Sequence, residues 1–404
     1  MKHLPGPTRW HCYGSAAMGV PSRFRYNPVN SGDKCPSRQV SLPYGPMDKK
    51  HRQRIRYLRT LDGVQLAWAE AGQGPLLVKA ANWLTHLEYE WESPVWRHWI
   101  EFFSDHFRFA RYDERGCGMT DWNVGALSFD RSVEDLDAVV GAVSTPEPFT
   151  LLGISQGAAT CIAYAARHPG RIARLLLYGG YARGASRRDN PREEREFQAI
   201  IELARVGFGR DNPAFRQVFT SRFIPGATEE QMDWFNDLCR RTSSPEIVGQ
   251  LLEMRAQIEV TRLLGQVQAP TLVLHACDDG VVPIAEGRHI ASGIPGAQFV
   301  ELNSKNHILL ETERAWGRFR EVVLEFVGHD ASPDREDPAF ASLSPRERAI
   351  LALITEGLSN AEIAERLSLS EKTIRNQTSK VFDKLGVWSR AQAIVFARDR
   401  RFGE

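Results

Sequence analysis

Ser155 stands at the centre of Gly153-Ile154-Ser155-Gln156-Gly157, with the strand-like TLLGI leading into it and the helical run AATCIAYAARHPG following. A serine on so sharp a strand-to-helix turn needs small residues two before and two after, because the tight backbone leaves no room there for side chains. A serine hydroxyl is a poor nucleophile until an adjacent imidazole takes its proton and a carboxylate fixes the tautomer of that imidazole. Residues of both types follow in the order acid, then base. Asp279 lies just beyond TLVLHA in ACDDGVVP, and His307 lies just beyond QFVELN in SKNHILLE. The chemistry that such a set suggests is acyl transfer; the plainer alternative is a turn kept only for folding.

A second group of residues suits a different task. In the run from Glu371, the apolar positions Ile374, Val381, Phe382 and Leu385 form one helical stripe, while Lys372, Arg375, Asn376, Ser379 and Lys380 project from the opposite face. Guanidinium and ammonium groups pair with guanine or phosphate, and a carboxamide pairs with adenine, so this face suits the major groove of duplex DNA. Charge alone is equally compatible with a solvated face of an ordinary helical bundle. The surrounding pattern decides between them.

That pattern is four short amphipathic helices from Leu343 onward, each announced by a serine. Ser344 is followed by Pro345 and, three residues on, by Glu347; Ser359 is followed by Glu362; Ser370 and Ser389 open the third and fourth runs. The first two are capping boxes, in which serine and glutamate satisfy each other's helix-terminal N–H groups. Only Leu369 and its flanking serines separate the second helix from the third, which predicts a steep helix-turn-helix crossing.

The segment from Leu343 to about Arg398 resembles the C-terminal DNA-binding domain of LuxR-type transcriptional regulators. It matches the L-[ST]-x-R-E opening, the EGLSNAEIAERL second helix, the S-x-x-T-[VI] start of the recognition helix and the KLGV-x-SRAQA close. The resemblance implies a third helix that reads DNA through Lys372, Thr373, Arg375, Asn376, Ser379 and Lys380, and a fourth, about Arg390 to Arg398, that forms a dimer contact. Many members carry a histidine where this chain has Gln377, a difference that bears on base preference.

Upstream, short apolar runs alternate with helical patterns: about Pro75 to Ala80, Arg108 to Tyr112, Thr150 to Ile154, Arg174 to Tyr178, Pro270 to His275 and Gln298 to Leu302, with helices such as Ser132 to Val143 and Gln156 to His168 between them. Repeated βα units predict an α/β fold with a mainly parallel sheet covered on both faces. Residues 183–264 read as a helical, charged inserted cap. From roughly Leu58 to Val327 the chain is similar to the α/β-hydrolase fold, with RYDERGCGMTDW matching the Y-D-x-R-G-x-G-x-S turn of that family. The resemblance implies Ser155 as nucleophile, His307 as general base and Asp279 as the acid that orients it, Asp278 being the less favoured acid. It places the oxyanion on the backbone N–H groups of Gln156 and Trp83. One departure is clear: where many hydrolases carry His-Gly after the first parallel strand, this chain has Ala81-Asn82 followed by Trp83.

Composition adds an organisation. The 404 residues, 42% of them apolar, allow two or three domains with their own cores. A net charge of +1 hides a gradient: residues 1–60 carry 12 basic and 2 acidic side chains, 61–339 carry 28 and 40, and 340–404 carry 11 and 8. An acidic body is repelled by a duplex, so the basic C-terminal module must make the contact. We expect a disordered basic extension at 1–46, Met47 also serving as a plausible start for the folded part; an α/β-hydrolase-like domain at 47–327; a linker at 328–339; and a four-helix DNA-binding domain at 340–404. No run approaches a membrane span, no continuous apolar core marks a signal peptide, and the six cysteines lack C-x-x-C spacing, which points to free thiols in the cytoplasm. His86, His98, His275 and His289 have no metal-ligand spacing and read as ordinary surface or core histidines; no metal and no cofactor are expected.

Two functions account for both halves. One is a transcriptional regulator, a likeness-based expectation of a homodimer on double-stranded DNA, whose hydrolase-like domain binds or slowly hydrolyses a small ester, lactone or amide. The other is a serine hydrolase with an appended DNA-binding module. A purely architectural DNA-binding protein leaves the Ser, Asp, His order unexplained.

Overall fold

The computed structural model describes residues 52–143, 146–210, 212–328, 342–367 and 369–399, with Phe340 and Phe402. The expected disordered extension, and the expected linker beyond Gly328, lie outside the described residues.

Eight strands form one sheet in the order β1-β2-β4-β3-β5-β6-β7-β8. Six of them, β3 (Leu76–Lys79), β4 (Arg108–Tyr112), β5 (Phe149–Ile154), β6 (Ile172–Tyr178), β7 (Thr271–Ala276) and β8 (Gln298–Leu302), pair in parallel and lie within two residues of the runs read from the sequence. The sequence reading did not anticipate β1 (Arg54–Arg59) or β2 (Gln65–Ala71), which add antiparallel on the β4 side. β1 reads RIRYLR and is mostly exposed, an edge strand whose arginines blunt further pairing and also mask its alternation.

Alternation along the central strands sets the layers. In β6, Leu175 and Leu177 join a core with α3 (Phe129–Val143), α4 (Gly157–Arg167) and α10 (Ile284–Gly293), whereas Leu176 and Tyr178 join a core on the other face with α1 (Leu87–Trp91), α2 (Arg97–His106) and α11 (Arg314–Gly328). Successive strand side chains point to opposite faces, so a sheet buried on both sides must be apolar throughout, as the fully buried β5 and β7 are.

Between β6 and β7 the expected cap is helical: α5 (Pro191–Gly207), α6 (Ala214–Phe223), α7 (Glu229–Thr242), α8 (Pro245–Ala256) and the short α9 (Thr261–Leu264), with one isolated bridge from Arg183 to Glu259. Its starts are written locally: Asn190 and Ser244 each accept from a first-turn N–H with proline next in sequence, and Thr228 with Gln231 makes a complete capping box.

The C-terminal segment, taken by itself, has α12 (Pro345–Thr355), α13 (Asn360–Arg366), α14 (Glu371–Leu385) and α15 (Arg390–Asp399). Ser344 with Glu347 and Ser359 with Glu362 make both expected capping boxes, and Ser370 accepts from Thr373 N–H. A 2.6 Å ion pair from Lys384 to Glu347 ties α14 to the start of α12, and Ile350, Ile354, Ile363 and Ile374 close one of its two small cores.

Candidate active site

Ser155 sits between β5 and α4 with φ of 55°, in the left-handed region that costs a non-glycine residue about 1–3 kcal/mol. Two bonds hold it there: its N–H donates to Tyr178 O at 2.9 Å, and its carbonyl accepts from Ala158 N–H at 3.0 Å. Close approach explains the flanking glycines. A Cβ on Gly153 would lie 2.6 Å from Ala158 Cα, and one on Gly157 would lie 3.0 Å from Ala81 O.

Beyond the ends of β7 and β8, His307 and Asp279 meet. His307 Nδ1 lies 2.6 Å from Asp279 Oδ2, while Asp279 Oδ1 accepts from Val281 N–H at 2.8 Å and Val282 N–H at 3.0 Å. Burial works to raise the Asp279 carboxyl, but the charge and hydrogen bond of His307 and the Val282 N–H outweigh it and hold the group below the ordinary carboxylate value. Asp278 is exposed, so of the two acids only Asp279 is placed against the imidazole. With Nδ1 so engaged, His307 Nε2 is buried and has no hydrogen-bond partner among the described residues. A serine at a strained elbow, a carboxylate-anchored imidazole and an uncommitted ring nitrogen are the parts that nucleophilic acyl transfer uses.

On α14, Ile374, Val381 and Leu385 are buried as expected and Phe382 is partly buried; Thr378, not read as part of the stripe, is buried with them. Lys372, Arg375, Asn376, Ser379 and Lys380 are exposed on one side, and Thr373 is half-buried at the helix start with its hydroxyl 2.8 Å from Ser370 Oγ. Arg375 pairs with Glu371 one turn earlier at 3.1 Å.

A family model described as serine aminopeptidase, S33, matches residues 98–313, more than half of the chain. The chain belongs to this α/β-hydrolase family. A second model, bacterial regulatory proteins of the luxR family, matches residues 341–397, so the hydrolase domain is joined in one polypeptide to a LuxR-type DNA-binding helix-turn-helix domain. The chain is 26% identical over 261 residues to the AB hydrolase superfamily protein YisY of Bacillus subtilis, covering 62% of this chain and 91% of that one. It is 44% identical over 66 residues to the DNA-binding transcriptional activator DevR/DosR of Mycobacterium tuberculosis, 16% of this chain and 30% of the relative. In fold it is similar to a hydrolase from Pseudomonas aeruginosa PA01, with a TM-score of 0.57 at 23% identity over 68% of this chain and 98% of the other.

One of the two expected oxyanion donors is occupied by a side chain. With its amide oriented to satisfy its neighbours, the Gln156 side-chain oxygen accepts from Trp83 N–H at 2.8 Å and from Arg255 Nη2 at 3.2 Å. The Trp83 donor is therefore engaged. The Trp83 indole is also tied down, stacked on Phe219 at 5.6 Å and covered by the Arg255 guanidinium at 4.9 Å. Together with Ser155 these residues line a small, largely apolar pocket, roofed by cap residues such as Ile200, Phe219 and Phe223.

Several residues at this site carried no signal in the sequence. Gly179, φ +56°, lies where a Cβ would be 3.2 Å from His307 Cε1 and 3.6 Å from Asp279 Oδ2. His275, near the end of β7, is fully buried, its Nε2 3.0 Å from Val282 O and 3.7 Å from Asp279 Oδ2. Arg255 reaches in from the cap helix α8 and pairs with Glu114 of the RYDERG turn. A cap residue distant in sequence offers no spacing by which to find it.

Proposed function

We propose that the chain is a DNA-binding transcriptional regulator whose hydrolase domain binds, and hydrolyses, a small ester, lactone or amide at Ser155. The observation that carries this is the 2.6 Å contact from Asp279 to His307, with His307 Nε2 left uncommitted, in the same polypeptide as a LuxR-type domain. In the proposed reaction His307 Nε2 takes the Ser155 hydroxyl proton as Oγ adds to the substrate carbonyl. The oxyanion takes the backbone N–H of Gln156 and, once the Gln156 side chain has moved off it, that of Trp83. His307 then returns the proton to the leaving oxygen or nitrogen, and water releases the acyl group by the same steps in reverse. On the DNA side, Lys372, Thr373, Arg375, Asn376, Ser379 and Lys380 face the duplex, in a homodimer.

The intact histidine and acid equally favour a second reading, a serine hydrolase with an appended DNA-binding module. Linkage separates the two, because a ligand alters DNA affinity only if it binds the DNA-competent state differently. The test is a pair of operator titrations at matched salt, on the full chain and on the segment 339–404. For a regulator, the full chain binds more tightly and shifts by about 1–3 kcal/mol when ligand is added, while the short segment does not respond. Full-length affinity that is indifferent to a bound or hydrolysed ligand leaves the tethered-enzyme reading in its place.

A further inference from the structure

We propose that the pocket beside Ser155 is built for a ligand that carries a carboxylate, with Arg222 as the residue that pairs with it and Arg255 as a second donor. The proposal rests on the reading of this pocket as the ligand site and narrows the class of ligand.

Three guanidinium groups, from Arg188, Arg222 and Arg255, line an otherwise largely apolar pocket, and no carboxylate lines it among the described residues. Two of the three are compensated from outside. Arg188 pairs with Glu193 and donates through Nε to Arg183 O at 2.7 Å, and Arg255 pairs with Glu114 through Nη2. Arg222 is different. Among the described residues no carboxylate lies within ion-pair distance of it; its Nε and Nη2 both donate to a single carbonyl, Gly280 O, at 3.1 and 2.9 Å. Burial lowers its pKa, with Glu196, Asp279 and Glu193 opposing from a distance. Arg222 thus brings a positive charge to the pocket with no carboxylate beside it, and the pocket is where an anion could reach it.

Arg255 shows a separate deficit, in hydrogen bonds. It is only 3% exposed, yet its Nε and Nη1 have no hydrogen-bond partner among the described residues. Buried donors left unmade cost about 1–3 kcal/mol each, so a site that leaves two of them is completed by acceptors from elsewhere. A carboxylate answers either need: its single charge matches the one uncompensated guanidinium, and its paired oxygens suit the planar fork of arginine. A dianion would exceed the charge available. The apolar walls then hold the rest of a short chain, with the scissile carbonyl at Ser155. The ligand class that results is a half-ester, or a lactone or amide bearing one free carboxylate.

The experiment uses the full chain with Ser155→Ala, so that turnover does not enter the readout. Monoethyl glutarate and its near-isosteric neutral counterpart, the half-amide ethyl 5-amino-5-oxopentanoate, are titrated by calorimetry. The half-ester should bind at least about tenfold more tightly, the value of one charge-assisted contact. That preference should collapse with Arg222→Met added and be largely kept with Arg222→Lys. Equal affinity for the two esters, binding of neither at millimolar concentration, or a preference that survives in Arg222→Met, overturns the proposal. Should Arg222→Met fail to fold, the comparison in the Ser155→Ala chain decides alone. Failure of the wild type to react with a fluorophosphonate defeats the hydrolytic reading and leaves this comparison standing, so the two failures are told apart.

Discussion

The Gln156 side chain and the Trp83 backbone are hydrogen-bonded at 2.8 Å, so the residue after the proposed nucleophile occupies a donor assigned to the oxyanion in the proposed reaction. On that proposal the ground state is closed where charge develops, and reaction requires the carboxamide to leave. Gln156→Ala should speed labelling of Ser155 by a fluorophosphonate by about tenfold or more, given that one oxyanion donor is worth about 10²–10³ in rate. An unchanged rate would mean that the carboxamide moves aside at no cost.

The Asp279–His307 pair should be essential to the same labelling. His307→Ala and Asp279→Asn should each lower it by about 10³–10⁴, while Asp278→Asn, at an exposed position, should be mild. Equal signal from wild type and Ser155→Ala would show the elbow to be structural only.

Gly179 presses on both members of that pair. Gly179→Ala places a methyl 3.2 Å from His307 Cε1 on a backbone with φ of +56°. The expected result is slower labelling together with a loss of about 1–3 kcal/mol in denaturant unfolding. Full activity with unchanged stability would contradict the crowding described here.

His98 gives a pH dependence of known sign. Burial pushes its imidazole down to about 4, against the opposing effect of its hydrogen bond to Leu309 O. The unfolded chain therefore binds a proton before the folded one does, and stability is lost as the pH falls from about 6.5 to about 4. The loss from this one group is about 3 kcal/mol, and His98→Gln should flatten that part of the profile. A variant with the same slope as wild type would assign the acid sensitivity to other groups.

On the DNA side, Arg375→Ala and Lys380→Ala should each weaken operator binding without unfolding the segment. A phosphate contact lowers the salt slope by about one, and a base contact costs about 1–3 kcal/mol with relaxed specificity. Unchanged binding by the double variant across several salt concentrations would remove α14 from the interface.

What was legible in the sequence followed from local constraint. The capping boxes at Ser344 and Ser359 and the glycines around Ser155 are written within five residues and reappear as read. Strands β3, β5 and β7 were readable because burial on both faces makes them nearly continuous apolar runs. β1 escaped because its arginines sit on an exposed edge. The pairing of Asp279 with His307 was readable only through family likeness, and Arg222, Arg255 and Gly179 were not readable at all. Their roles arise from contacts across the cap and sheet that no short window of sequence contains.

His307 N–H donates to Phe223 O at 2.8 Å, Gly226 N–H donates to Asn306 Oδ1 at 2.8 Å, and Phe223 is both the last residue of α6 and part of the pocket wall. The roof is thereby fastened to the backbone that carries the imidazole. Any displacement of the end of that helix would act on the base as well as on the pocket wall, so the guest best suited to the site is one that fits beneath Phe223 without moving it.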